Sequence, residues 1–221
     1  FRVGPDGLQR YNSRLNVETR FSKYLSLDSR LAYTLQKQEM ASSSASGTGL
    51  LFQTYTYRQQ YPIYTPDGRL NGYGTGNYTY ADLLEGGYNN TDWNFFDGVF
   101  QLKAADFVKG LQIRAVYGKQ YRRSDNDRFR RTVPLYGTTQ ILQYRNNPNS
   151  YQEVRQVINN NNVQFLVDYD FSIANKHQFH ILGGYQWEDS RDASVTASAT
   201  NLVSNDLPTL NFGDVANKVA T

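Results

Sequence analysis

The residues that invite a chemical reading are few. His177 and His180 stand three apart, and on a strand that spacing sends them to opposite faces, where they cannot share a metal ion. Asp168 and Asp170 are two apart and on a strand would share a face about 7 Å apart. Such a pair could serve glycoside hydrolysis, but a watery environment accounts for two carboxylates equally well. Asp125 and Asp127 lack the loop glycine and distal glutamate of a calcium-binding hand. Gly72-x-Gly74-x-Gly76 lacks the strand, helix and third-glycine spacing of a dinucleotide fingerprint. With no cysteine in the chain there is no disulfide, thiolate site or thiol nucleophile. No nucleophile–base pair stands out, so neither catalysis nor a cofactor is expected. A net charge of +3 and the absence of a recognition motif give no reason to expect nucleic-acid binding.

The elements that carry these residues are strands. Six stretches alternate apolar and polar side chains with period two. In the first, Tyr11, Leu15, Val17 and Phe21 oppose Asn12, Arg14, Asn16, Glu18 and Arg20. In the second, Leu25, Leu27, Leu31, Tyr33 and Leu35 oppose Asp28, Arg30, Thr34 and Gln36. The third, Asn94 to Ala104, is less clean, because Phe95 and Val99 fall on its polar side. The fourth sets Leu111, Ile113, Ala115, Tyr117 and Tyr121 against Gln112, Arg114, Gln120 and Arg122. The fifth sets Val163, Phe165, Val167, Tyr169 and Phe171 against Gln164, Asp168 and Asp170, and the sixth Phe179, Ile181, Tyr185 and Trp187 against Gln178, His180, Gln186 and Glu188.

Short connections (Ser22 to Tyr24, Ala105 to Gly110, Ser172 to Lys176) alternate with long ones at about 36–90, 123–160 and 189–221. Tight turns at one end and long loops at the other are the asymmetry of membrane β-barrels. Each run is about eleven residues, close to the 9–11 that a tilted strand needs to cross a bilayer. Aromatic residues fall at both ends of the runs, Phe21, Phe107, Phe171 and Phe179 near the turns and Tyr33, Tyr121, Tyr185 and Trp187 toward the loops, as girdles would. The fold expected is all-β: an antiparallel up-and-down meander of about six strands, part of a large transmembrane barrel with long external loops.

The first long loop opens with a small-residue run, Ala41 to Gly49, and then gathers Tyr55, Tyr57, Tyr61 and Tyr64. Tyr64-Thr-Pro-Asp-Gly68 reads as a turn, with Pro66 presetting φ and Gly68 accepting a positive φ. The tyrosines suit stacking on sugar rings or on a protein partner, and equally suit packing on one another over the barrel mouth. The second loop holds Arg122, Arg123, Arg128, Arg130 and Arg131 around Asp125 and Asp127, a cluster that could attract an anion or settle into internal ion pairs.

Tyr11-Asn-Ser-Arg-Leu-Asn16, Tyr64-Thr-Pro-Asp-Gly-Arg69, Phe107-Val-Lys-Gly-Leu111 and Asn175-Lys-His177 followed by Ile181-Leu-Gly-Gly-Tyr-Gln186 occur in the order in which similar elements occur in SusC/RagA-like TonB-dependent transporters. The chain resembles that family from about Gln9 to about Glu188, with Gln186 where a glutamate is usual. The resemblance implies that residues 1–221 are part of a 22-stranded outer-membrane barrel domain, with a plug and TonB box elsewhere. It implies a SusD-like surface lipoprotein as partner, TonB as energy source, outer-membrane lipid around the wall, and import of oligosaccharides or peptides. On this view Tyr55, Tyr57, Tyr61 and Tyr64 and the lumen-facing Arg14, Arg30, Arg114 and Asp168 are substrate-path candidates. The alternative is a surface β protein that binds a partner or glycan without transport.

Overall fold

In the computed structural model, which describes residues 6–42, 60–74, 77–173, 176–214 and 219–220, the alternating stretches form one antiparallel sheet. Its long strands are β1 (Asp6–Arg20), β2 (Leu25–Ala41), β3 (Gly87–Ala105), β4 (Leu111–Arg130), β7 (Ser150–Ile173) and β8 (His177–Thr200). Each pairs with the next in order, β1-β2-β3-β4-β7-β8, and a two-residue strand β9 (Val219–Ala220) closes on the far end of β8. Between the long strands lie a short helix α1 (Asn77–Leu84) and a separate hairpin of β5 (Val133–Tyr136) and β6 (Ile141–Arg145).

The short turns are built for tightness. Between β1 and β2 the Phe21 amide donates to the Leu25 carbonyl at 2.9 Å, and Ser22 Oγ accepts from the amides of Tyr24 and Leu25 at 3.2 and 3.1 Å. Between β3 and β4, Asp106 and Gly110 take φ of 62° and 80°. A Cβ on Gly110 would lie 2.0 Å from the Asp170 carbonyl oxygen, so only glycine fits there.

Register places the apolar residues of all six strands on one face. Leu15 faces Leu31, Tyr33 faces Phe96, Phe100 faces Tyr117, Ala115 faces Phe165, and Phe165 faces Tyr185. Many of these side chains are exposed, among them Leu15, Phe165, Ile181 and Tyr185; among the described residues no second layer packs on this face.

The margin of that apolar face runs obliquely. The last large apolar residues of the face are Tyr11 on β1 and Leu35 on β2, which face each other and, through Asn94, face Arg123. On β7 and β8 it ends at Val163 and Trp187, which face Tyr117. The margin thus slips from position 123 to position 117 of β4 across the sheet, six residues over five strand gaps. At about 3.3 Å per residue and about 4.8 Å per gap this is a slope of about 40°, within the tilt of strands in closed barrels. The turn-end margin slips the same way, from Leu25, which lies level with Ile113, to Phe171, two positions beyond the partner of Leu111.

The strands extend well past the alternating stretches, and this corrects the expected loop bounds of 36–90, 123–160 and 189–221. β2 runs on to Ala41, β3 begins at Gly87, β4 reaches Arg130, β7 begins at Ser150 and β8 reaches Thr200. Ladder hydrogen bonds hold these extensions where both faces are polar, so the alternation that marks a strand in sequence is lost there. The small-residue run accordingly begins inside β2, with Ala41 and Ser42 buried; positions 43–49 of it lie outside the described residues.

Candidate functional site

The polar face carries the charged residues singled out by sequence. Asn16, Arg30, Val99, Gly118, Asn162 and Glu188 form one row across the sheet, and Arg14, Ala32, Asp97, Gln120, Asn160 and Ser190 the next. All four expected lumen residues, Arg14, Arg30, Arg114 and Asp168, therefore lie on this face. They do not converge. Arg114 Nη2 donates to Asp168 Oδ2 at 2.9 Å toward the turn end, while Arg14 and Arg30 sit on β1 and β2, where they line a shallow groove with Asn16, Ala32, Asp97 and Val99.

Asp168 and Asp170 share the polar face as expected, and His180 completes the group. Its Nδ1 is 2.8 Å from Asp170 Oδ1 and its Nε2 is 3.9 Å from Asp168. His177 occupies an odd position of β8, opposite Ile173, and so points to the other face. Among the described residues no cluster of three potential ligands converges on a metal position. The arrangement is an open ionic ladder on a wet wall, in which each acid already has a basic neighbour.

A second groove, about 360 Å³ in volume, adjoins the first. It shares Asp97 and Val99 with it and continues over Val116, Gly118, Gln120, Asn160, Asn162 and Gln164 to Glu188. Sequence reasoning missed it. The available signals were a glycine at an inward position of an otherwise regular strand, Gly118, and the run Asn159 to Asn162, where alternation gives way to amides on both faces.

At the long-loop end the connections fold onto one another. Leu70, Ala81, Val133 and Leu135 make one small core with Ile63 beside it, and Phe129, Tyr151 and Leu202 make another with Tyr88 and Leu210. Asp82, almost fully buried, accepts from Arg145 Nε and Nη2 at 3.0 and 2.8 Å and from Asn146 Nδ2 at 3.1 Å. Asn149 clamps Leu202 through both backbone groups. The turn at Tyr64–Gly68 forms as expected: Gly68 has φ 82°, its amide donates to Thr65 O at 2.9 Å, and Tyr64 bridges Leu70. Thr65 and Arg69 bond the Asp67 carboxylate and hold it below the usual carboxylate range, and Arg69 lies over the Tyr136 ring at 4.4 Å. Tyr61 and Tyr64 thus belong to this cap and not to the grooved wall; Tyr55 and Tyr57 lie outside the described residues.

The arginine cluster expected in a loop is mostly strand. Arg122, Arg123, Arg128 and Arg130 lie on β4, and within the cluster Arg123 and Arg131 form ion pairs. Arg123 binds Asp125 at 2.8 Å, and Arg155, which sequence reasoning passed over, reaches Asp127 at 2.8 Å, Glu153 at 3.4 Å and Asp125 at 3.7 Å. Burial opposes the charge on Arg155, but these three acids together hold its pKa above that of an ordinary arginine. Arg128 donates to the Ser42 carbonyl at 2.8 and 3.1 Å, and burial, then Arg130, lowers its pKa.

A greasy outer face, a polar inner face, an oblique margin and alternating short and long connections define a segment of a large antiparallel barrel wall. Solved structures of one transporter share it. The chain is similar to the "RagAB peptide transporter" (TM-score 0.73, 19% identity) and to the "RagAB peptide importer" in its closed-closed (0.73, 18%) and open-open (0.72, 18%) states. In each case 98% of this chain is covered, and it spans 24–25% of the other chain's length. No protein-family model matches the sequence, and no curated protein matches it.

Proposed function

We propose that the chain forms part of the wall and mouth of an outer-membrane, TonB-dependent importer of oligomeric nutrients. The oblique margin of the apolar face carries this reading, because a soluble sandwich has no reason to bound its greasy surface at a barrel's strand tilt. Lipid covers that face, the polar face lines the lumen, and the long-loop end faces outward. Among the described residues no helix is long and apolar enough to cross a membrane, which leaves spanning by strands open. Likeness to a peptide transporter favours peptides over oligosaccharides as cargo. A surface lipoprotein seated on the cap and TonB acting through a plug outside this chain complete the assembly, and no catalysis is assigned to any residue.

The test is uptake by cells carrying the complete gene. Import of a labelled oligopeptide should require TonB and the proton-motive force. Undiminished uptake in cells lacking TonB overturns the energy coupling, and surface binding without any uptake points instead to a binding protein that does not transport.

A further inference from the structure

Each of the three short connections carries one lysine, Lys23, Lys109 and Lys176, and together they hold a single acid, Asp106. Register sets the lysines on one slope. Lys23 comes two residues below Leu25 and so level with Leu111, Lys109 is two below Leu111, and Lys176 adjoins His177, which lies level with position 107. From turn to turn, two strands at a time, the level falls by two residues, close to the fall of the loop-end margin. With the strands tilted as in a closed barrel, the three lysines stand at one depth, just past the last outward apolar residues.

The charge at this depth is one-sided. All three lysines are exposed. Lys23 lies over the Tyr24 ring at 4.6 Å, and neither Lys109 nor Lys176 has an acidic partner among the described residues. The acids of the neighbouring strand ends, Glu18, Asp28, Asp168 and Asp170, are on the polar face, where Arg20, Arg114 and His180 hold three of them. At the loop-end margin, by contrast, the bases are answered on the outward face itself. Arg123 binds Asp125, Arg191 binds Asp189, Lys37 faces Asp92, and Lys119 donates to Asn159 and Asn161.

One of the turns also offers a seat. β7 and β8 run on past the end of β4, whose first residue, Leu111, faces Tyr169. In the corner below lies a hollow of about 460 Å³, where Lys109 meets Ser172 and Gln178 on one side and Tyr169, Phe171 and Phe179 on the other. The three rings stack in sequence with centroids 5.3 and 5.2 Å apart. Asp170, also at the rim, is held by His180. Its amide donates to the Gly110 carbonyl at 2.8 Å, so Ser172, two residues on, turns its own amide the same way, past the end of β4. A cation and an amide donor above a stack of outward rings suit a group that is anionic at its head and greasy below.

Resting on the membrane placement of the importer reading, we propose that the turn end binds anionic phospholipid. The lysines hold headgroup phosphates, and the hollow at Lys109 seats one lipid, its phosphate on the ammonium and the Ser172 amide and its chains over Tyr169, Phe171 and Phe179. These rings belong to the outward face, away from any plug within the barrel. A free phosphate would use the ammonium and leave the rings bare.

The experiment titrates the complete transporter in detergent with dihexanoyl phosphatidylglycerol, its phosphatidylcholine twin, lipopolysaccharide and inorganic phosphate, counting bound molecules by native mass spectrometry. Phosphatidylglycerol should bind tighter than phosphatidylcholine, and Lys109→Gln should cut that preference about fivefold. Adding Lys23→Gln and Lys176→Gln should abolish it, whereas Lys109→Arg and, at the other margin, Lys37→Gln should preserve it. Phe171→Ala with Phe179→Ala should weaken both lipids and leave their ratio unchanged. Equal binding of the two lipids, or lysine variants that bind like the wild type, overturns the proposal, and continued peptide uptake would then leave the importer reading standing. Inorganic phosphate that displaces the lipid at equal concentration overturns the lipid in favour of a bare anion. Preference for lipopolysaccharide overturns the placement of this margin in the inner leaflet. A complete protein absent from the outer-membrane fraction removes both readings.

Discussion

Gly110 shows how much a single position can hold. Its φ of 80° and the 2.0 Å approach of a hypothetical Cβ to the Asp170 carbonyl mean that even alanine must displace the β4–β7 pairing at its turn end. Gly110→Ala should destabilise the folded barrel by about 1–3 kcal/mol or more, read as a lower temperature for loss of the compact band on semi-native gels. Tyr151 makes the opposite kind of prediction. Burial first, then the Asp127 and Glu153 carboxylates, push its phenol well above the ordinary 10.0. A group with a raised folded pKa contributes stability that is complete below its unfolded value and is lost as pH rises through the folded one. The loop-end cap should therefore hold up to about pH 10 and weaken above it. Tyr151→Phe should remove one late-titrating phenolate from the 295 nm absorbance curve and flatten the alkaline loss.

At the scale of strands, β8 offers a comparison between neighbours. Ile181 and Leu182 are 56% and 58% exposed, so accessibility cannot tell them apart, but Ile181 faces Tyr169 on the apolar side and Leu182 faces Asp168 on the polar side. Ile181→Arg should cost about 2–4 kcal/mol of barrel stability in a bilayer and Leu182→Arg close to nothing, measured by reversible urea unfolding in lipid vesicles. Equal penalties would remove the lipid-facing assignment. This facing was legible in sequence because Phe179, Ile181, Tyr185 and Trp187 repeat with period two. The upper halves of the strands were not, since stretches such as Asn159 to Asn162 carry amides on both faces and owe their extension to neighbouring strands. The cap was hidden for another reason: Asp82 and Arg145 are 63 residues apart, and nothing local to either announces the pairing. In the grooves of the polar face, Arg14, Arg30 and Asp97 could all be read from alternation, although the apolar Phe95 and Val99 on the face of Asp97 blur the pattern of β3.

For the whole chain, the sheet has two long edges, β1 and β8, and among the described residues only β9 meets one of them, at Ala197 and Ser198. A greasy surface beside strand edges largely unpaired among the described residues is a template for self-association. Expressed by itself, the chain should elute as aggregate in plain buffer and become dispersed only with detergent. A monodisperse, cooperatively melting monomer without detergent would show that the apolar face finds cover within the chain.

β8 continues from Trp187 to Thr200, 13 residues beyond the apolar margin. After tilt that is a rise of about 30 Å, so on the proposed placement in a bilayer the wall would stand above the lipid like a turret, with the cap as its battlement. Anything perched there, whether a phage fibre, an antibody or a lid, meets protein without brushing against lipid. The battlement could then be grafted between relatives at the level of Arg130 and Ser150, with the lipid-embedded masonry left untouched.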